Sequence, residues 1–272
     1  MRSTTGRRWF SVPLVSAIVL IASVGAPRAA QDTRLDDEQE VGQEVYNELK
    51  AKGEIVASSP LYEPLAPIVA AVTRTAQPHY NHAFKFYLVH ETGPNAFATP
   101  GGNVYVTDSL LYFVKNTEEL AGTLCHEVSH TIHHDSMNLI EKERQVQRRE
   151  IGAAILLGPT RAHLLAILLL GQLRSLGYSR EAESKADLTG SDVCAASGYN
   201  PWGLVWLFQD FQAADSAQVP QLLSDHPDNP HRVAALTEHF RDNPGVFGSF
   251  AADAKSATPL VVPKNATEVF VR

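Results

Sequence analysis

Apolar and polar positions alternate along the chain in two rhythms, one helical and one extended. Residues 36–51 set apolar side chains among charged ones at the three-to-four spacing of a helix, and residues 61–76 repeat this with more apolar weight. The stretch FKFYLVH, residues 84–90, switches to alternation and reads as a strand. Two short extended pieces follow, around 96–99 and 103–107, hinged at Pro100-Gly101-Gly102. Asp108 is placed to cap a short helix running to Val114, and Asn116, three residues before Glu119, offers a capping box for the next one.

Further along, residues 151–157 and 164–170 are strongly apolar, but Gly158, Pro159, Arg161 and His163 separate them, and neither is long enough to cross a bilayer. They are expected as buried core helices, with a membrane-facing amphipathic hairpin as the other reading. Ser179 is the natural cap of a helix reaching 196, and another helix spans 201–214. A proline-broken loop then carries SDHPDNPHR, and the tail after Arg241 is rich in Pro, Gly and Ala. Many helices and few short strands predict an α+β fold, mostly helical. With 272 residues, 44% hydrophobic and 19% charged, there is apolar material for one substantial core or two small ones.

The first thirty residues stand apart. A basic start (MRSTTGRR), an apolar run from Trp9 to Gly25 and a small-residue segment (APRAA) form the layout of a secretory signal. The apolar run is short of the about 20 residues a span needs, which favours cleavage over a retained anchor. The division expected is a signal over 1–30, a catalytic domain over 31–241 and a tail over 242–272. The product is exported, periplasmic or secreted, and membrane association is allowed but not required. Losing residues 1–30 removes four arginines and no acid, moving the net charge from −7 to −11, a balance that repels nucleic acid. Export permits a disulfide between Cys125 and Cys194, the two cysteines present, and two buried thiols are the alternative.

The chemistry concentrates in LCHEVSHTIHHD, residues 124–135. On a helix His126 and His130 lie about 6 Å apart along the axis and about 40° apart around it, so both imidazoles can reach one ion. Glu127 leans over the open side of that ion. This is the H-E-x-x-H arrangement, two histidines holding zinc and a glutamate serving as general base toward a water the metal activates. His133 and His134 read as solvated or hydrogen-bonding residues at the helix end. A catalytic zinc needs a third protein ligand, and Glu183 and Asp187 share one helical face downstream. Glu183 can ligate the ion while Asp187 accepts from a ligand imidazole and holds its tautomer.

Four segments in order, NAFATPGGNVYVTDSLL, EELAGTLCHEVSHTIHHD, SREAESKAD and HPDNPHR, resemble the gluzincin zinc metallopeptidases that include the CAAX prenyl proteases and the bacterial periplasmic quality-control peptidases. The resemblance runs from about residue 38 to 236. It implies a zincin-like fold whose small sheet has an edge strand flanking the active-site helix. It implies one Zn2+ per chain on His126, His130 and Glu183, with Glu127 as the base and Asp187 behind a ligand. Asn95, Ala96, Phe97 and Ala98 become the edge strand to which a substrate peptide adds by main-chain hydrogen bonds. His226 matches a histidine of the loop covering the zinc, where it stabilises the tetrahedral intermediate or keeps the enzyme latent. Arg232 matches a following arginine that supports the oxyanion or braces the site. After the signal there are neither the transmembrane helices of the membrane-embedded relatives nor the helical repeats of some periplasmic ones. The expected activity is therefore that of a zinc endopeptidase acting on unfolded or misassembled exported proteins. A chaperone-like module holding unfolded chains, with a latent or inactive zinc site, is the competing class, and a closed structural zinc site a third.

Overall fold

The computed structural model describes residues 28–150, 161–175, 177–213 and 229–263. Helices are α1 (Arg28–Ala51), α2 (Tyr62–Ala76), α3 (Asp108–Phe113), α4 (Thr117–Ile132) and α5 (Asp135–Glu150). They continue with α6 (Arg161–Ser175), α7 (Arg180–Ala196), α8 (Trp202–Ala213), α9 (Asn229–Asp242) and the one-turn α10 (Pro244–Phe247). The strands β1 (Ile55–Val56), β2 (Lys85–Val89), β3 (Ala96–Thr99) and β4 (Asn103–Thr107) form one mixed sheet in the order β1-β2-β4-β3. The mostly helical α+β architecture expected from the sequence is the one found. Among the described residues no helix is long and apolar enough to cross a membrane.

Alternation along the strands divides the core into two layers. Val104 and Val106 of β4, with Leu88, Ala96 and Ala98, point to the face covered by α2, α4 and α8. Tyr105, Tyr87 and Phe97 point to the other face, where Val41, Val45 and Leu49 of α1 meet Leu165, Leu169 and Leu173 of α6. The three aromatic rings stack across neighbouring strands, Tyr87 on Tyr105 at 5.4 Å and Phe97 on Tyr105 at 5.0 Å. The second apolar run, within α6, is therefore core packed on α1. The first run, residues 151–157, lies outside the described residues.

Register decides which way the backbone groups of β3 face. Among the described residues this strand pairs antiparallel with β4 only, Ala96 opposite Val106 and Ala98 opposite Val104, and ends the sheet. Thr107 N donates to Asn95 O at 2.9 Å, making Asn95/Thr107 a hydrogen-bonded pair. By alternation Phe97/Tyr105 is the next such pair, so the N–H and C=O of Ala96 and Ala98 turn away from the sheet. The Pro100–Gly102 hinge is a tight 3-10 turn whose glycines hold φ of 77° and 81°, a region closed to most side chains.

The caps fall close to their expected places. Asn116 Oδ1 accepts from Glu119 N at 2.8 Å, and the Glu119 carboxylate accepts in return from Lys115 N at 2.7 Å. Ser179 Oγ accepts from Ala182 N. The short helix α3 differs by one residue from the reading of Asp108 as its cap. Thr107 Oγ1 accepts from Leu110 N, while Asp108 is the first helical residue and engages His90 at 2.6 Å. The chain after Asp242 returns to the start of α4, where Thr258 O accepts from Thr117 N and Thr258 donates twice to Glu118.

Helix α4 is buried from Glu118 to Thr131 and is surrounded by β3, α2, α7 and α8. Its closest neighbour is α7, and Gly190 sets how near the two approach. A Cβ at Gly190 would lie 3.1 Å from both Cα and N of His126. Gly190→Ala is expected to push α7 outward, destabilising by about 1–3 kcal/mol as overpacked sites do. That corresponds to a fall of roughly 2–12 °C in melting temperature for a chain of this size. A thermal melt unchanged by the substitution would refute the close approach.

Candidate metal centre

Polar side chains on a helix buried all round have to find partners within the protein, and those of α4 do. His126 and His130, both buried, bring their Nε2 atoms to 3.0 Å of one another. Glu183 from α7 completes a triangle, Oε2 at 3.4 Å from His126 Nε2 and Oε1 at 3.5 Å from His130 Nε2. Four bonds of 2.0–2.1 Å in a tetrahedron separate neighbouring donor atoms by about 3.3 Å. The three donors, all within 4.8 Å of one another, therefore have the spacing and the chemistry of a zinc site.

The outer nitrogens of both rings face carboxylates. His126 Nδ1 lies 3.0 Å from Asp187 Oδ1, and His130 Nδ1 lies 2.8 Å from Asp135 Oδ2. This arrangement directs the Nε2 atoms inward and raises the basicity of each imidazole. Burial disfavours a charged His126, but the Asp187 and Glu183 carboxylates outweigh it and push its pKa up to about 9. A metal entering near neutral pH therefore competes with a proton for the His126 imidazole. Asp135 is raised to about 6 chiefly by burial, with His133 and Lys185 acting in the opposite sense.

Spacing along α7 explains the placement of its acids. Glu183, Asp187, Gly190 and Cys194 recur at helical intervals along the stripe that packs on α4. Ser179 caps the helix and fixes where the stripe begins. Cys194 from this stripe meets Cys125 of α4, both buried free cysteines, with Sγ atoms 2.7 Å apart. Burial holds the Cys125 thiol well above its ordinary pKa.

Arg232 of α9 offsets the gathered negative charge. Its Nε and Nη2 donate to the two Asp187 oxygens at 2.7 and 2.6 Å, and Nη1 lies 3.1 Å from Glu183 Oε2. The guanidinium stacks over Phe208, 4.2 Å from the ring centre, and is buried. Burial would raise the Asp187 pKa, but Arg232 first and then His126 hold it below its usual range. Glu127 is fully buried on the same helix as the two imidazoles. Strand β3, which holds Ala96 to Ala98 and follows Asn95, packs beside α4, and His226 lies outside the described residues.

Two participants, Asp135 and Tyr178, were not singled out from sequence. Asp135 reaches His130 because His134, at φ 56°, breaks the helix and turns the chain back. His134 itself meets Glu38 of α1 at 2.6 Å, and His133 meets Thr189 at 3.1 Å, so both are hydrogen-bonding residues at the helix end. Tyr178 stacks on the His130 ring at 4.1 Å and 22°, and its hydroxyl meets Ser136 Oγ at 2.6 Å. The signal for Asp135 was an acid directly after a histidine-rich helix end; a lone tyrosine before a serine cap carries none.

Removing the arginine takes the guanidinium from two buried carboxylates and leaves them with their histidine contacts. Arg232→Met is expected to destabilise the metal-free chain by about 3–5 kcal/mol. Saturating zinc should return part of that loss, because the ion supplies positive charge at Glu183. Urea denaturation with and without zinc checks this, and an equal loss in both conditions would contradict it.

The profile of Peptidase family M48 matches residues 63–239, well over half the chain. The beta-barrel assembly-enhancing protease of Yersinia pestis is 26% identical over 92% of this chain and 56% of its own length. The mitochondrial metalloendopeptidase OMA1 of Schizosaccharomyces pombe is 27% identical over 78% of this chain and 63% of its own. The beta-barrel assembly-enhancing protease of Escherichia coli K12 is 29% identical over 56% of this chain and 33% of its own. The chain thus spans from a third to under two thirds of the length of these relatives. Since one continuous match takes in the histidine helix, the acids of α7 and the arginine of α9, the chain belongs to peptidase family M48, a family of zinc metallopeptidases.

Proposed function

We propose that this chain is a zinc endopeptidase that hydrolyses peptide bonds in extended, unfolded or misassembled polypeptides. The observation that carries the reading is the convergence of His126, His130 and Glu183, with contacts of 3.0, 3.4 and 3.5 Å, the last two to different Glu183 oxygens, near the donor spacing around one tetrahedral ion. These residues would hold the metal, with Asp187 and Asp135 fixing the rings from behind. Zinc bound there lowers the pKa of a water toward neutrality and polarises a carbonyl oxygen.

Glu127 follows His126 directly and is buried against the cluster. Its carboxylate takes a proton from the attacking water and passes it to the leaving amine, so that one group serves as base and then as acid. Arg232 braces Glu183 and Asp187 through the contacts described above. By the family resemblance alone, His226 is assigned as stabiliser of the tetrahedral intermediate or as latency residue.

The outward main chain of β3 supports the substrate side of the reading. A peptide adding along Asn95 to Ala98 is bound through backbone groups and selected for being extended rather than for its side chains. That is the recognition an unfolded chain meets and a folded one does not. The basic and apolar segment within residues 1–30 supports export, so that the substrates are exported proteins. Two of the relatives named above are called beta-barrel assembly-enhancing proteases, which agrees with a role in protein quality control.

Glu127→Gln is expected to retain zinc and to lose cleavage of casein by at least about a hundredfold, the lower end of general acid–base contributions. Glu183→Ala should lose zinc itself, measured by metal analysis after dialysis. Undiminished turnover in the first variant would remove Glu127 from the chemistry. Binding of casein by the parent without cleavage would favour the chaperone-like class instead.

A further inference from the structure

Ala98 turns its carbonyl away from the sheet, toward the edge at which the proposed substrate strand adds. Two hydroxyls already meet it. Ser136 Oγ, from the first turn of α5, lies 2.9 Å from Ala98 O, and Tyr178 Oη lies 3.2 Å from the same oxygen. The two hydroxyls are 2.6 Å apart. Each carries one proton, so the triangle is satisfied by Tyr178 donating to Ser136 and Ser136 donating to the carbonyl. All three residues are buried.

The same tyrosine lies on a metal ligand. Its ring is stacked on His130, with centres 4.1 Å apart and planes at 22°. Ser136 is next to Asp135, the acid that holds His130 Nδ1 at 2.8 Å. One side chain and its neighbour thus touch both the imidazole and the end of the edge strand.

We propose that Tyr178 and Ser136 are positioning residues that close the buried edge of β3 at Ala98 and thereby fix the register in which a substrate strand lies against the metal centre. This rests on the reading of β3 as the substrate edge. A peptide strand can exchange hydrogen bonds with the outward N–H and C=O of Ala96. At Ala98 the carbonyl is taken, and the strand has to leave the edge there. A pairing slip of two residues along β3 would move the scissile bond by roughly 7 Å relative to the zinc. Closing one end of the edge prevents that slip, and stacking on His130 ties the closure to the ligand whose position defines the cleavage point.

Two variants separate the functions. Ser136→Ala combined with Tyr178→Phe removes both hydroxyls and keeps the ring on His130. Tyr178→Leu removes the ring as well. Both are made in the full chain and loaded with zinc, or with cobalt for spectroscopy. Mass spectrometry maps the bonds cut in β-casein, and fluorescence anisotropy measures binding of labelled β-casein in the Glu127→Gln background.

The double variant is expected to keep the cobalt spectrum of the parent, to cut β-casein at additional positions offset by two residues, and to change casein affinity about threefold to tenfold. Tyr178→Leu is expected to alter the cobalt spectrum. An unchanged cleavage map together with unchanged affinity in the double variant overturns the proposal, as does absence of casein binding by the parent. If the parent binds casein but cuts nothing, the peptidase reading falls, and the affinity change alone then decides this inference. A purely structural role for the two hydroxyls would lower the melting temperature and leave the positions of cleavage where they were.

Discussion

Negative charge gathered in a buried place is the constraint around which this chain is built. Glu183, Asp187, Asp135 and Glu127 all lie within or beside a layer that excludes water. Unpaired, each would take up a proton or destabilise the fold. Two imidazoles on one helix and a guanidinium on another supply the compensation, Arg232 to Asp187 at 2.6 and 2.7 Å and the histidines to Asp187 and Asp135 at 3.0 and 2.8 Å. Inside this frame, the Nε2 atoms of His126 and His130 and the Glu183 carboxylate, which Arg232 also contacts, converge on a common point. That convergence has the donor chemistry of a site for a divalent cation.

Packing makes the arrangement geometric. Helix α4 is enclosed on all sides, and α7 approaches it so closely at Gly190 that a methyl group would press on the backbone of His126. Seven residues back along the same stripe of α7, two helical turns, Glu183 arrives at the imidazoles. The sheet positions the other half of the site. Its alternation sends Val104 and Val106 to the α4 layer and Tyr105 to the α1 and α6 layer. That division leaves β3 as the last strand, with the main chain of Ala96 and Ala98 turned outward.

Much of this was legible from sequence because it depends on short-range spacing. His126 and His130 four apart, Glu183 and Asp187 four apart, and the caps at Asn116 and Ser179 are local patterns that survive any tertiary context. The cap of α3 was off by one residue because Thr107 and Asp108 are both competent capping side chains and only the backbone conformation chooses between them. Asp135 was missed for a different reason. Its partnership with His130 depends on the left-handed turn at His134, and a histidine seldom takes that conformation. Arg232 could be placed from the resemblance, but its partner could not, since the contact joins residues 45 positions apart. Tyr178 was illegible altogether, because stacking on a ligand leaves no periodic trace.

X-ray absorption at the zinc edge of the metal-loaded chain tests the central claim most directly, since it reads the donor atoms around the ion. The expected first shell is two imidazole nitrogens and oxygen donors at about 2.0–2.2 Å, with no sulfur. A sulfur scatterer at about 2.3 Å would place the ion on the Cys125 and Cys194 pair instead and contradict the assignment.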